Sequence, residues 1–193
     1  MKLARFAAPF VLAAMLGASS AVAAEPENTM VITLKDGDVT VALRPDLAPK
    51  HVEQIKALVR DGAYDNVVFH RVIDGFMAQT GDVQFGDAED GFDLRRAGTG
   101  GSDKPDLPAE FSSEKFVRGV VGMARAQDPN SANSQFFIMF APYPSLDNQY
   151  TVVGQVESGM ELVDKIKRGS ASQNGAVADP DRMLKVRIAA DAK

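Results

Sequence analysis

Apolar and polar residues alternate with a period of two in the runs Met30-Val31-Ile32-Thr33-Leu34 and Val39-Thr40-Val41-Ala42-Leu43. Such alternation marks strands with one buried face. Asp36-Gly37 between them is a tight-turn signal, so the pair reads as a hairpin. The period then lengthens. Pro49, suited to a first helical position, precedes Val52, Ile55, Leu58 and Val59 at helical spacing, and Gly62 supplies a stop. The apolar stripe of this helix is expected to cap one end of a sheet. Further strands are predicted over 67–72, 76–80, 119–124, 135–140, 151–156 and 183–188. A second short helix is predicted over 159–167, with Met160, Val163 and Ile166 on one face. Long loops fill 81–108 and 125–133.

About eight short strands and two helices, without repeats or a linker, predict one all-β domain over 25–193. The expected architecture is a closed eight-stranded antiparallel barrel with a helix over each end. The interior of such a barrel is packed with side chains, which leaves the outer wall and the loops for function.

Residues 1–24 follow a different pattern. A short basic start, Met1-Lys2-Leu3-Ala4-Arg5, leads into an apolar run from Phe6 to Leu16 and ends in Ala21-Val22-Ala23-Ala24. This is the layout of a secretory signal peptide cleaved after Ala23 or Ala24, and it predicts export to a periplasm. Gly17, Ser19 and Ser20 interrupt the run, which argues against a membrane anchor. The 193-residue chain has a formal charge of −5 and no cysteine, so disulfides and thiol chemistry are excluded. Its acidity argues against nucleic acid and anionic membranes as partners.

Candidate chemistry gathers in two stretches. Phe69-His70-Arg71-Val72-Ile73-Asp74-Gly75-Phe76-Met77-Ala78-Gln79 sets a cation, a bulky apolar pair and an amide close together. Ser134-Gln135-Phe136-Phe137-Ile138 adds a second aromatic pair. A guanidinium beside a hydrophobic hole suits the grip of an apolar ring next to a polar amide, as in a proline within a peptide. Arg71 could instead pair with Asp74 or Asp82 at a surface, and Phe76, Met77 and Phe137 could be core.

These two stretches, with Gly98-Thr99-Gly100-Gly101, Leu146-Asp147 and Val153-Gly154-Gln155-Val156, resemble the cyclophilins, the peptidyl-prolyl cis-trans isomerases, over roughly residues 30–190. The resemblance implies a barrel with its site on the outer face; no cofactor or metal is expected, and nothing in the sequence suggests more than a monomer. Its implied substrates are proline-containing segments of unfolded or flexible proteins. It also implies that Arg71 is the catalytic cation and Gln79 its neighbour. Phe76, Met77, Phe137 and Leu146 would form the proline pocket, with Tyr150 able to line it. Ala124 and Arg125 would flank the peptide, the backbone of Arg125 pairing with it. The alternative is a module that holds proline-containing segments with little turnover. Ser145 stands where many eukaryotic relatives carry a tryptophan that helps bind cyclosporin, which implies weak sensitivity to that drug.

Other signals imply less. Gly98–Gly101 lacks the ending of a phosphate loop and is expected to support the site. His70 is expected to be a hydrogen-bonded strand residue and His51 to lie on a helix surface. Two histidines without cysteine make no ordinary zinc site. The acidic loop around Asp87, Glu89, Asp90 and Asp93 does not have EF-hand spacing.

Overall fold

The computed structural model describes residues 25–90 and 92–191; the expected signal peptide lies outside them. Eight antiparallel strands form one sheet: β1 Thr29–Leu34, β2 Gly37–Leu43, β3 Arg71–Ile73, β4 Met77–Thr80, β5 Val120–Met123, β6 Phe136–Met139, β7 Val152–Ser158 and β8 Lys185–Ile188. Their spatial order is β3-β4-β6-β5-β7-β2-β1-β8. The expected β1–β2 hairpin is present, but Leu34 faces Gly37, so Lys35 and Asp36 make the turn.

The sheet is an open half-barrel, which corrects the expectation of closure. β3 and β8 do not pair as strands. Isolated bridges, Val68 to Arg182 and Arg71 to Ala176, stitch the region between them. The physical reason lies in residues 67–70, expected to extend β3. Their backbone groups bond to loops instead: Val68 N–H to Gly86, Phe69 N–H to Asp181, and the Val67 carbonyl to Met183 N–H. Buried backbone groups need partners, and here loops provide them.

Helix α1, Pro49–Arg60, buries Val52, Ile55, Leu58 and Val59 against the sheet. Its N-cap, Ala48, has no side-chain acceptor. The Glu110 carboxylate substitutes, accepting Lys50 N–H at 3.3 Å and His51 N–H at 3.2 Å. At the other end Gly62 adopts φ +71°. Gly62 N–H bonds to Val59 and Ala63 N–H to Leu58, a Schellman closure. Helix α2 spans only Met160–Val163. Beyond it, Lys165 and Ile166 bond three residues back, which tightens the chain out of α-helix, and Asp181 accepts Lys167 N–H at 2.8 Å.

Strand alternation gives the sheet two working faces. Val72, Ala78, Ile138 and Val121 face one another across β3, β4, β6 and β5. All four are buried in the main core with residues from both helices. The neighbouring positions point the other way. There a second, smaller cluster forms from Met77, Phe116, Val120, Phe137, Met139, Leu146 and Val152.

Candidate active site

The site lies on that second face. Arg71 on β3 faces Gln79 on β4, Gln79 faces Phe137 on β6, and Phe137 faces Gly122 on β5. Cation, amide, aromatic ring and glycine therefore make one row across four strands, because a period of two returns each side chain to the same face. The glycine is required for space. A Cβ at Gly122 would lie 2.6 Å from Phe116 and 2.7 Å from Phe137, whose rings stack at 5.8 Å.

Arg71 is aimed chiefly by Asn174 and Gln79, with Met77 Sδ 3.9 Å from its Nη1. Its Nε donates to the Asn174 carbonyl at 3.0 Å and Nη2 to Asn174 Oδ1 at 3.1 Å, while Nη1 donates to Gln79 Oε1 at 3.2 Å. Gln79 Nε2 then donates to Gln135 Oε1 at 3.0 Å, and Gln135 Nε2 to the Gly100 carbonyl at 2.7 Å. Each amide accepts on one side and donates on the other, so the relay holds the guanidinium from behind. Partial burial moves Arg71 down from the ordinary guanidinium value, with Tyr150 opposing. It remains a cation, as guanidinium groups in proteins do. Asp74 pairs with Arg168 instead, and Asp82 accepts four backbone N–H groups, so neither forms the surface pair considered for Arg71.

Arg71, Phe76, Met77, Gln79, Ala124, Arg125, Phe137, Leu146 and Tyr150 together line a pocket of about 130 Å³. All the residues singled out from the sequence thus meet at one place. The pocket is much smaller than the roughly 300–1,000 Å³ of drug-sized sites, and suits a single ring. Met77 and Phe137 are both buried and pocket-lining, so the core reading and the site reading describe the same side chains. Leu146 is placed by the 3₁₀ turn Pro144–Leu146. Asp147 anchors that turn by accepting Phe116 N–H at 2.9 Å, a bond that also holds its carboxyl below the usual range. Ser145 is exposed beside it. The Tyr150 ring stands edge-on to Phe137 at 5.9 Å. Arg125 lies over Tyr150 at 4.5 Å and donates to the carbonyls of Ala126, Gln127 and Gln149.

A wider polar groove of about 360 Å³ adjoins the pocket, sharing Gln79, Ala124 and Arg125 with it. Gly98, Thr99 and Gly100 form one bank, which fits the supporting role expected of that loop. Asp82 folds the bank, accepting Gly98 N–H at 2.7 Å and Gly100 N–H at 3.0 Å. A cavity of similar volume between the β1–β2 hairpin, α2 and residues 179–184 shares no residue with either.

The histidines depart from expectation. His51 is fully buried, not on the helix surface, and its Nδ1 lies 2.7 Å from Glu110 Oε2. Burial would raise Glu110, but the bonds from His51 and the backbone hold it below its ordinary value. His70 sits under Gly98 with both ring nitrogens buried and without hydrogen-bond partners among the described residues. Burial, reinforced by the charge of Arg71 and opposed by Asp82, pushes its pKa down to about 4.

Asn174, Gln135 and Gly122 escaped attention as site residues in the sequence. Asn174-Gly175 is a turn signal, and Asn174 does adopt φ +53°. Its distance from Arg71 along the chain hides the contact. Gln135 lies within Ser134–Ile138, where the aromatic pair is the stronger signal, and Gly122 inside a strand marks close approach of neighbouring groups.

The comparisons with known proteins agree on one family. The sequence profile described as cyclophilin type peptidyl-prolyl cis-trans isomerase/CLD matches residues 29–188. A Brucella suis protein named "probable peptidyl-prolyl cis-trans isomerase" is 66% identical over 187 residues, covering 97% of this chain and 95% of that one. An Arabidopsis thaliana peptidyl-prolyl cis-trans isomerase is 34% identical over 176 residues, covering 90% and 76%. The crystal structure of a Hirschia baltica cyclophilin superposes with TM-score 0.72 at 25% identity, over 88% of this chain and 77% of that one. A Cryptosporidium parvum cyclophilin-type isomerase, crystallised in the presence of the dipeptide Ala-Pro, gives 0.70 at 27%, over 83% and 98%. The chain belongs to the cyclophilin-type peptidyl-prolyl cis-trans isomerases. It is an isomerase of a family that acts on proline-containing peptides.

Proposed function

We propose that the pocket bounded by Arg71 and Phe137 seats a proline ring while Arg71 catalyses rotation about the preceding peptide bond. The carrying observation is the row Arg71–Gln79–Phe137–Gly122, which sets a held guanidinium beside the apolar side of a ring-sized pocket, where Phe76, Met77, Phe137 and Leu146 lie. The peptide barrier is ~18–20 kcal/mol because nitrogen donates its lone pair into the carbonyl. Halfway through rotation that conjugation is lost and the imide nitrogen becomes an acceptor. Arg71 then donates a hydrogen bond to it. A bond made mainly in the twisted state lowers the barrier without merely tightening binding.

An acceleration on the order of 10⁵ takes roughly 7 kcal/mol off the barrier. One well-aimed donor supplies about 2.7–4 kcal/mol by analogy with oxyanion holes. The remainder falls to Phe76, Met77, Phe137, Leu146 and Tyr150. They hold the ring still and surround it with low polarity, which disfavours the charge-separated planar amide. Gln79 aims the cation, and Ala124 and Arg125 flank the peptide, the latter through its backbone.

The signal-like pattern of residues 1–24 supports removal of that segment and work in a periplasm. Exchange-detected NMR on a short X-Pro peptide tests the site. Arg71→Ala should lower kcat/KM about 10²–10³-fold while peptide binding persists. Equal turnover by that variant overturns the mechanism, and binding without turnover by the parent favours a holding module.

A further inference from the structure

The geometry points to Tyr143 as a specificity-determining residue that reads the side chain following proline and favours an aromatic or broad apolar one. This rests on the proposed seating of proline and extends it beyond the ring pocket.

Tyr143 lines neither the ring pocket nor the polar groove, yet its ring lies 4.4 Å from that of Phe76, tilted by 37°. Phe76 is a wall of the ring pocket. Tyr143 itself is 43% exposed, so the pair continues the apolar lining outward onto open surface. Scattered exposed aromatics are ordinary; one packed at a tilt against a pocket wall is a candidate platform.

The backbone presents this ring rigidly. Tyr143 N–H bonds to the Phe116 carbonyl at 2.8 Å, and the Tyr143 carbonyl accepts Leu146 N–H at 3.1 Å. Pro144 follows directly and keeps Tyr143 out of the helical region, at φ −140° and ψ 82°. An aromatic held in advance loses little conformational freedom when a second ring stacks on it.

The direction of a bound peptide follows from Arg71. The imide nitrogen must lie at the guanidinium, and that nitrogen carries the bond to the preceding residue. Gln79, bonded to Arg71, lines both the ring pocket and the polar groove. Preceding residues therefore run into the groove, and the following residue leaves across the opposite wall, over Phe76 and Tyr143. The two ends of the site then differ in chemistry: polar before proline, aromatic after it.

The test compares the amidated peptides Ala-Ala-Pro-Phe and Ala-Ala-Pro-Gly by exchange-detected NMR. The parent should show higher kcat/KM on the phenylalanine peptide. Tyr143→Ala should lose about three- to tenfold on that peptide, the range one aromatic pair supplies, and less than twofold on the glycine peptide. Tyr143→Phe should keep the parent's preference. A Tyr143→Ala variant with the parent's preference, or with equal loss on both peptides, overturns the inference. Should Tyr143→Ala fail to fold, Tyr143→Leu, which keeps bulk without a ring, is read the same way. If the parent exchanges neither peptide, the isomerase reading falls by itself. The affinity ratio of the two peptides, from shift titration of parent and variants, then decides Tyr143 separately.

Discussion

Two adjacent rows cross the same four strands and do opposite work. Val72, Ala78, Ile138 and Val121 close against the helices and are sealed from water. One residue along each strand, Arg71, Gln79 and Phe137 line a pocket open to solvent, and Gly122 leaves room for the Phe137 ring. The backbone scaffold is shared, so the contrast comes from side chains alone. A sheet with a full core on one side can place a cation and an aromatic seat on the other within two strand spacings.

The contrast is broken hardest from the inner row. Ile138→Ala removes a fully buried side chain and should cost about 2–5 kcal/mol of stability by denaturant titration. The turnover of molecules that remain folded should change little. From the outer row, Arg71→Ala should leave the unfolding midpoint nearly unmoved while costing about 3–4 kcal/mol in the barrier, read as kcat/KM.

His70, beneath the groove, tests how far the two faces are coupled through charge. Its folded pKa of about 4 lies below the ordinary 6.5, so the unfolded chain binds its proton first as pH falls. The stabilisation from keeping His70 neutral is complete above pH 6.5. It is lost between there and about pH 4, an effect on the order of 3 kcal/mol. Unfolding free energies measured across that window should fall with acid, and more shallowly in His70→Gln. The smallest effect is expected at Asn174→Gly, which keeps the left-handed backbone and the carbonyl acceptor but removes Oδ1. A loss of about 1 kcal/mol, roughly fivefold in kcat with KM unchanged, would mark Asn174 as a residue that positions Arg71.

What could be read in advance divides along physical lines. Alternation in Met30–Leu34 and Val39–Leu43, and the stripe Val52-Ile55-Leu58-Val59, are local, and they locate β1, β2 and α1 to within a residue or two. The meeting of Arg71 with Phe137 and Leu146 came from the family resemblance, because periodicity carries no register between distant strands. Closure failed as an expectation because residues 67–70 look like strand yet spend their hydrogen bonds on loops. His51 is buried against expectation because Glu110, distant in sequence, covers the start of α1 and makes a buried imidazole tolerable. The Asn174 contact with Arg71 is equally non-local.

The open seam has a consequence for how this molecule fails. Asn174, Gly175 and Ala176 hold Arg71 and Val72 along the free β3 margin of the sheet. Loosening that stitch would swing the guanidinium away long before the sealed interior felt it. Heat or mild denaturant would then silence turnover first, in molecules that still look native to every probe of their inner packing.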